Sequence, residues 1–348
     1  MSDLKYNNLG ESGLKVPPVI VGCMSYGSKK WVDWVEDDED KVFKILKKCY
    51  DAGLRAFDTA DVYSNGESER LLGEFLKRYE IPRERVVILT KGFMPLDPND
   101  LGFNSLRGHA ISDKDYANAK GLSRKHIFDA IKASVERLGT YIDVYQIHRL
   151  DTTTPKKEIM RALNDVVEEG YTRYIGASSM KATEFAQLQF IAEQNGWHKF
   201  ISMQNYYNLI YREEEREMIP FCQKNDIGEV GLIPWSPIAR GVLARPAGSQ
   251  SEESGRDKFD KTFSMLGLDK LTDADKTIID RVVEIGKKHG ESPAVVATAW
   301  VLSKGCNPIV GLSSEKRIDD IVRAAKLKFT EDELKYLEEP YLPKKSLF

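Results

Sequence analysis

Cysteine is scarce in this chain. Cys23, Cys49, Cys222 and Cys306 are the only four in 348 residues, and none forms a CxxC pair. That spacing excludes the common zinc and dithiol motifs and a disulfide framework, and free thiols in a reducing compartment are the expectation. Histidine is hardly more plentiful. Four of the five, His109, His126, His198 and His289, lack ligand spacing, so no metal site is expected, and His109 is read as a solvent-exposed loop residue. Long apolar runs are missing, which excludes a membrane-spanning helix. The opening MSDLKYNNLG has no apolar signal core. Charge of one sign is also missing. With 51 basic against 54 acidic residues, the net charge of −3 gives no reason to expect nucleic acid or an anionic membrane as partner. No GxGxxG follows the first apolar segment, which counts against a doubly wound dinucleotide-binding sheet. A cytoplasmic globular protein is what these absences leave.

What is present is a regular alternation. After a short Gly-bearing hairpin at residues 5–16, strands are predicted at 16–23, 55–58, 85–91, 142–148, 174–178, 200–205, 231–235 and 308–311. Helices are predicted at 68–79, 123–138, 154–169, 181–195, 213–225, 292–303 and 314–325, with an earlier one behind the acidic run 36–40. Acids in a first turn suit the positive end of a helix. Two further helices, 274–290 and 331–337, fall outside the repeat. Strands alternating with helices of this length imply βαβ units and a parallel sheet. Eight such units favour an α/β fold of the closed (β/α)₈ TIM-barrel type, with residues 1–348 as a single domain. The long polar segments 92–122 and 245–272 both follow predicted strands, which would place them on the catalytic face as lids or substrate walls.

In such a barrel, chemistry sits at the C-terminal ends of the strands. The second predicted strand ends at Asp58, the third at Lys91 and the fourth at His148, and Tyr63 lies in the loop after Asp58. Each alone could be a satisfied core residue, but three polar strand ends in succession point to a site. A free phenol has a pKa of about 10 and is a poor acid at neutral pH. An ammonium nearby favours the phenolate, so Lys91 is expected to lower the Tyr63 pKa, with Asp58 holding Lys91 and His148 orienting a carbonyl. No side chain delivers hydride, so a nicotinamide is the expected donor if this is a redox site.

These residues carry a resemblance that covers nearly all of residues 5–330. GLRAFDTA, then Tyr63 and Gly-Glu-Ser-Glu, resembles the first signature of the aldo-keto reductases, and Asp58, Tyr63, Lys91 in ILTKG and His148 in YQIHR match that family's catalytic tetrad. The Gly-Glu-Ser-Glu variant and Pro-Trp-Ser-Pro-x-x-x-Gly are most similar to its aryl-alcohol dehydrogenase-like branch, beside versiconal hemiacetal acetate reductase-like proteins. The resemblance implies NADPH-dependent, reversible reduction of aldehydes or ketones. It implies that Ser178 and Gln204 hold the nicotinamide carboxamide, and that Trp235 stacks on the ring. It also implies that Ser236, Ile238, Arg240 and Gly241 form a pyrophosphate strap. The family often has Ser-Asn where this chain has Ser178-Ser179.

Gly311, Leu312 and Ser313 make a turn before a helix whose N-terminus suits a phosphate. There the family binds the adenosine 2′-phosphate, which implies Lys316 and Arg317 in that role and NADPH over NADH. Asp320 is carried over as an adenosine-end contact, but Ile321 stands where many relatives have Asn for the adenine. Tyr26 and Phe93 are candidate substrate contacts, which hints at an aromatic substrate. A rival reading is an NADPH-binding regulatory subunit with weak turnover, similar to voltage-gated potassium channel β subunits. It would need a partner and, in that family, a long N-terminal tail; no obligatory protein partner is expected here.

Overall fold

The computed structural model describes residues 4–107, 112–246 and 261–347. His109 therefore lies outside the described residues, as does half of segment 245–272. β1 (Asn7–Asn8) and β2 (Lys15–Val16) form an antiparallel hairpin. Eight parallel strands follow in one sheet: β3 (Ile20–Gly22), β4 (Ala56–Asp58), β5 (Val87–Gly92), β6 (Ile142–Ile147), β7 (Thr172–Ser178), β8 (Phe200–Gln204), β9 (Gly231–Leu232) and β10 (Ile309–Gly311). From β3 to β9 each pairs with the next in sequence, and β10 returns to pair with β3. The last seam is closed by Asn307 N–H to Leu232 O at 2.8 Å and Ile309 N–H to Pro234 O at 2.9 Å. This is the expected (β/α)₈ barrel, with the hairpin and the extra helices Asp273–His289 and Glu331–Glu338 added to it. No helix among the described residues is long and apolar enough to cross a membrane.

Local chemistry sets most boundaries. Asp38 caps the helix Glu39–Asp51 by accepting from the Lys41 N–H, which is what the acidic run foreshadows. Ser123 and Ser292 cap Arg124–Leu138 and Pro293–Ser303 in the same way. The predicted elements that shrink contain proline. Pro17 and Pro18 cut residues 16–23 to the three-residue β3, and Pro234 leaves only two residues of 231–235 as β9, because proline has no N–H for a ladder. The predicted helix 213–225 becomes a 3₁₀ turn, Glu213–Glu215, and a short helix, Met218–Gln223, with Pro220 in its first turn.

The inward face of the barrel positions the site. Ala56, Leu89, Val144, Ile233 and Ile309 fill its lower section together with Ile20, Leu9 and Val16. Two glycines make room. A Cβ on Gly231 would stand 2.4 Å from Leu9 Cδ1, so the hairpin's plug needs glycine there. A Cβ on Gly176 would stand 2.4 Å from Ser202 Oγ and 3.0 Å from Gln146 Cγ, where polar side chains begin to replace apolar ones.

Candidate active site

Asp58 ends β4, Lys91 is the fifth residue of β5, and His148 follows β6. Tyr63 opens a tight turn behind β4. The structure brings the four together. Lys91 Nζ donates to Asp58 Oδ2 at 2.5 Å, to the Thr59 carbonyl at 2.8 Å and to Tyr63 Oη at 3.4 Å. The Tyr63 and His148 rings meet edge-on, with centroids 5.9 Å apart and planes at 84°. Asp58 and Lys91 are buried, and Tyr63 and His148 keep 7% exposure each, which leaves these two as the members of the set that a ligand can reach.

The electrostatics correct one expectation. Burial pushes the Tyr63 hydroxyl above the ordinary phenol value, and the Lys91 ammonium offsets only part of that. The phenol is therefore held neutral rather than tuned toward neutrality. The physical reason is that Lys91 is itself neutralised by Asp58, so the field left for Tyr63 is weaker than the cost of charging a buried phenolate. Burial also works against the Lys91 charge, yet the Asp58 carboxylate and the Tyr63 oxygen raise its pKa above the usual lysine value. Burial, with the charges of Arg149 and Lys91, drives His148 well below the ordinary imidazole range, so its ring is neutral.

Asp58 has two partners that sequence reasoning missed in this role. Gln146 Nε2 donates to Asp58 Oδ1 at 3.0 Å, and Gln204 Nε2 donates to the same oxygen at 2.9 Å and to Gln146 Oε1 at 2.9 Å. A signal for Gln146 existed: it alternates with Val144 and His148 along IDVYQIH and so shares their inward face. Both N–H bonds of Gln204 are thus spent inside the barrel. The Ser178 hydroxyl donates to the Gln204 carbonyl at 2.8 Å. Ser179, at φ 41°, accepts from Trp235 Nε1 at 3.3 Å. Trp235 itself packs on Tyr206 with centroids 4.6 Å apart.

Residues 236–241 form a strap in which Ser236 (φ 56°), Ala239 (φ 47°), Arg240 (φ 54°) and Gly241 (φ 105°) are left-handed. Ser236 is tied down through its carbonyl by Asn208 Nδ2 at 3.1 Å, and Ile238 is partly buried against the core. Gly311 ends β10, and the helix Glu315–Ala324 begins four residues later. Arg317 Nη1 donates to Ser313 Oγ at 2.7 Å, Lys316 is exposed, and Asp320 pairs with Arg323. Ile321 is buried in the core, 4% exposed, so position 321 offers nothing to an adenine.

The two candidate substrate residues differ in place. Tyr26 is buried, and its hydroxyl donates to the Leu312 carbonyl, tying the loop after β3 to the end of β10. Phe93 is partly buried against the core at the start of the long loop. A second ring beside Tyr63, with no signal in the sequence to single it out, is Trp31, with centroids 6.3 Å apart. Among the described residues there is no cluster of His, Cys, Asp and Glu able to hold a metal ion.

This geometry can be set beside known proteins. Residues 18–341 match the model of the aldo/keto reductase family. Versiconal hemiacetal acetate reductase of Aspergillus parasiticus is 56% identical over 342 residues, 98% of either chain. A Saccharomyces cerevisiae protein that carries the name of an aryl-alcohol dehydrogenase is 56% identical over 343 residues, again 98% of both chains. An aldo-keto reductase of Metarhizium robertsii is 48% identical over 346 residues, 98% of this chain and 92% of the relative. The tetrad-bearing barrel and these matches agree: the chain belongs to the aldo/keto reductase family, in its aryl-alcohol dehydrogenase and versiconal hemiacetal acetate reductase-like branch, and is an NADP-dependent oxidoreductase of carbonyl and alcohol groups.

Proposed function

We propose that the chain reduces an aldehyde or ketone with Tyr63 as proton donor. The observation that carries this is a neutral, reachable phenol 3.4 Å from an ammonium that Asp58 holds in place. When bound, NADPH supplies the hydride that reaches the carbonyl carbon. The carbonyl oxygen then becomes an alkoxide, and Tyr63 Oη gives it a proton. A raised phenol pKa suits this direction, because the proton is still present at neutral pH. The phenolate left behind faces Lys91 Nζ, whose charge stabilises it. Asp58 and the Thr59 carbonyl keep that ammonium from moving away. The neutral His148 ring orients the carbonyl oxygen without competing for the proton. The same residues run the oxidation of an alcohol in reverse.

The cofactor residues fit the group. The Ser178 hydroxyl donates inward and keeps lone pairs for a carboxamide N–H, and Gln204 keeps Oε1. The strap at 236–241 carries four left-handed residues, and Lys316 and Arg317 stand at a helix N-terminus, where a 2′-phosphate is favoured. Trp235 lies beside Ser179, within the same group of residues as the proposed carboxamide contacts. The aryl-alcohol and hemiacetal names of the relatives, with Trp31, Met24 and Met94 around Tyr63, support an apolar, aromatic carbonyl. A cytoplasmic location and action without an obligatory protein partner go with this reading.

The test is Tyr63→Phe. Turnover of an aromatic aldehyde is expected to fall about 10²- to 10⁴-fold with NADPH affinity unchanged. Retained turnover would remove Tyr63 from the role of acid. Tight NADPH binding by the wild-type chain with no turnover on any aldehyde would favour the regulatory reading instead.

A further inference from the structure

Directly after Tyr63 the backbone enters an unfavourable region three times running. Ser64 (φ 51°), Asn65 (φ 54°) and Gly66 (φ 91°) are all left-handed. Glycine does this freely and asparagine tolerates it, but serine is strained, and such strain persists only where the surroundings over-determine it. Here the two polar side chains of the turn reach in different directions. Ser64 Oγ accepts from the Ser28 N–H at 3.1 Å, on the segment that follows β3. Gly27 passes so close that a Cβ there would stand 2.2 Å from Ser64 Oγ. Asn65, 3% exposed, grips the loop that follows β5. Its Nδ2 donates to the Asp100 carbonyl at 3.1 Å and the Phe103 carbonyl at 2.5 Å, and its Oδ1 accepts from the Asp97 N–H at 3.2 Å.

Both gripped segments feed walls into the apolar cluster that holds Tyr63. Trp31 comes from the first, and Met94 from the second. They are joined to each other by Asn104 Nδ2, which donates to the Trp31 carbonyl at 3.2 Å. No bond in this set involves Ser178, Gln204, Trp235 or the 236–241 strap. The proton donor and the walls therefore share one anchor that is separate from the proposed cofactor contacts.

We propose that Asn65 is a specificity-determining positioning residue, whose side chain clamps residues 97–103 over Tyr63 and so sets which carbonyl compounds reach the phenol. This rests on the reading of Tyr63 as the proton donor. The amide is the one side chain suited to the task. It offers two donors to two carbonyls and an acceptor to one N–H, and it tolerates the left-handed backbone. A bulky aromatic aldehyde must be enclosed by the walls, whereas a small one needs only the phenol and the cofactor. The clamp should therefore act on KM for the large substrate far more than on kcat or on cofactor affinity.

Two substitutions separate the clamp from the backbone strain. Asn65→Gly keeps the left-handed turn and removes the three hydrogen bonds. Asn65→Asp keeps an acceptor for the Asp97 N–H but sets a carboxylate oxygen against two carbonyls. Both proteins would be assayed with naphthaldehyde and with propanal, alongside NADPH affinity and amide hydrogen exchange across 97–104. For Asn65→Gly, KM for naphthaldehyde is expected to rise about tenfold or more, with kcat for propanal and NADPH affinity within about twofold of wild type. Exchange across 97–104 should quicken, and Asn65→Asp should go further in the same direction. Equal losses on both aldehydes, or exchange unchanged in Asn65→Gly, would overturn the proposal. If the wild-type chain reduces neither aldehyde, the reductase reading fails, while the exchange comparison still decides whether Asn65 holds the loop.

Discussion

The base and the rim of the barrel are built on the same strands by opposite means. At the base, Ala56, Leu89 and Val144 stand inward in one apolar cluster with Leu9, Val16, Ile20, Ile233 and Ile309. Two residues further along each of those three strands, Asp58, Lys91 and Gln146 stand on the same inward face and are joined by hydrogen bonds of 2.5 Å and 3.0 Å. One repeat of the strand, about 6.6 Å, thus separates a section that holds the barrel together from the section to which the proposed chemistry is assigned. The difference teaches where damage should show. Breaking the base should cost stability and leave turnover alone. Breaking the rim should cost turnover, and stability only where a buried charge is orphaned.

Asp58→Asn tests the rim and should give the largest effect. Lys91 is wholly buried and loses the only carboxylate that pairs with it among the described residues. Leaving a buried charge without its partner typically costs about 3–5 kcal/mol. Turnover should fall about 10²- to 10⁴-fold, because the ammonium beside Tyr63 loses its carboxylate and keeps only the Thr59 carbonyl. Denaturant unfolding and steady-state assay read the two losses separately. Adding Lys91→Met to Asp58→Asn should recover stability but not turnover. Recovery of turnover in the double variant would sink the role given to Lys91.

Leu9→Ala tests the base. Removing a wholly buried leucine should destabilise the chain by about 2–5 kcal/mol, with kcat/KM unchanged in the folded protein. The plug also has a partner that can be tuned. Gly231→Ala alone should destabilise, since its Cβ would stand 2.4 Å from Leu9 Cδ1. In the Leu9→Ala background the same change should cost less, because the clash with the leucine side chain is gone, leaving the Gly10 backbone nitrogen at 2.9 Å, and the cavity is partly filled. Additive losses would mean that the two residues do not share the plug. A change in NADPH affinity in either variant would break the separation of base from rim.

How far the sequence revealed this division depends on the range of the interaction. The barrel was legible because alternation of strands and helices is a local pattern, and the polar strand ends at 58, 91 and 148 are visible in single strands. The role of Gln146 was not, since its bond to Asp58 spans 88 residues. Asn65 looked like one polar residue of a turn, and its partners at 97, 100 and 103 come from a loop with no periodicity to read. The Tyr63 pKa was misjudged in direction because the sequence shows the nearby charge but not the burial that outweighs it. Strand and helix ends slipped where prolines 17, 18, 220 and 234 intervene, although these were in plain view.

An effect that is smallest at acid pH and grows with pH is expected at a second acid only three positions from Asp58. Asp61 is as buried as its neighbour, but no side chain donates to either of its carboxylate oxygens. Burial pushes this carboxyl well above the ordinary aspartate range, the Glu69 carboxylate pushes the same way, and the Arg137 guanidinium recovers only part. The folded state therefore holds the Asp61 proton more tightly than the unfolded state does. Below the unfolded value of about 3.9 both states are protonated and nothing is lost. As pH rises through the window up to the folded value, stability drains away, by at most about 1.4 kcal/mol for each pH unit. Asp61→Asn has no proton to lose. Its Tm relative to wild type should start near its acid-pH difference and climb steadily as pH is raised from about 4. The contrast is with Asp58, whose carboxylate oxygens accept from Lys91, Gln146 and Gln204. A pH-independent Tm difference for Asp61→Asn would mean that Asp61 finds a partner in solution, and the contrast between the two acids would then have to be given up.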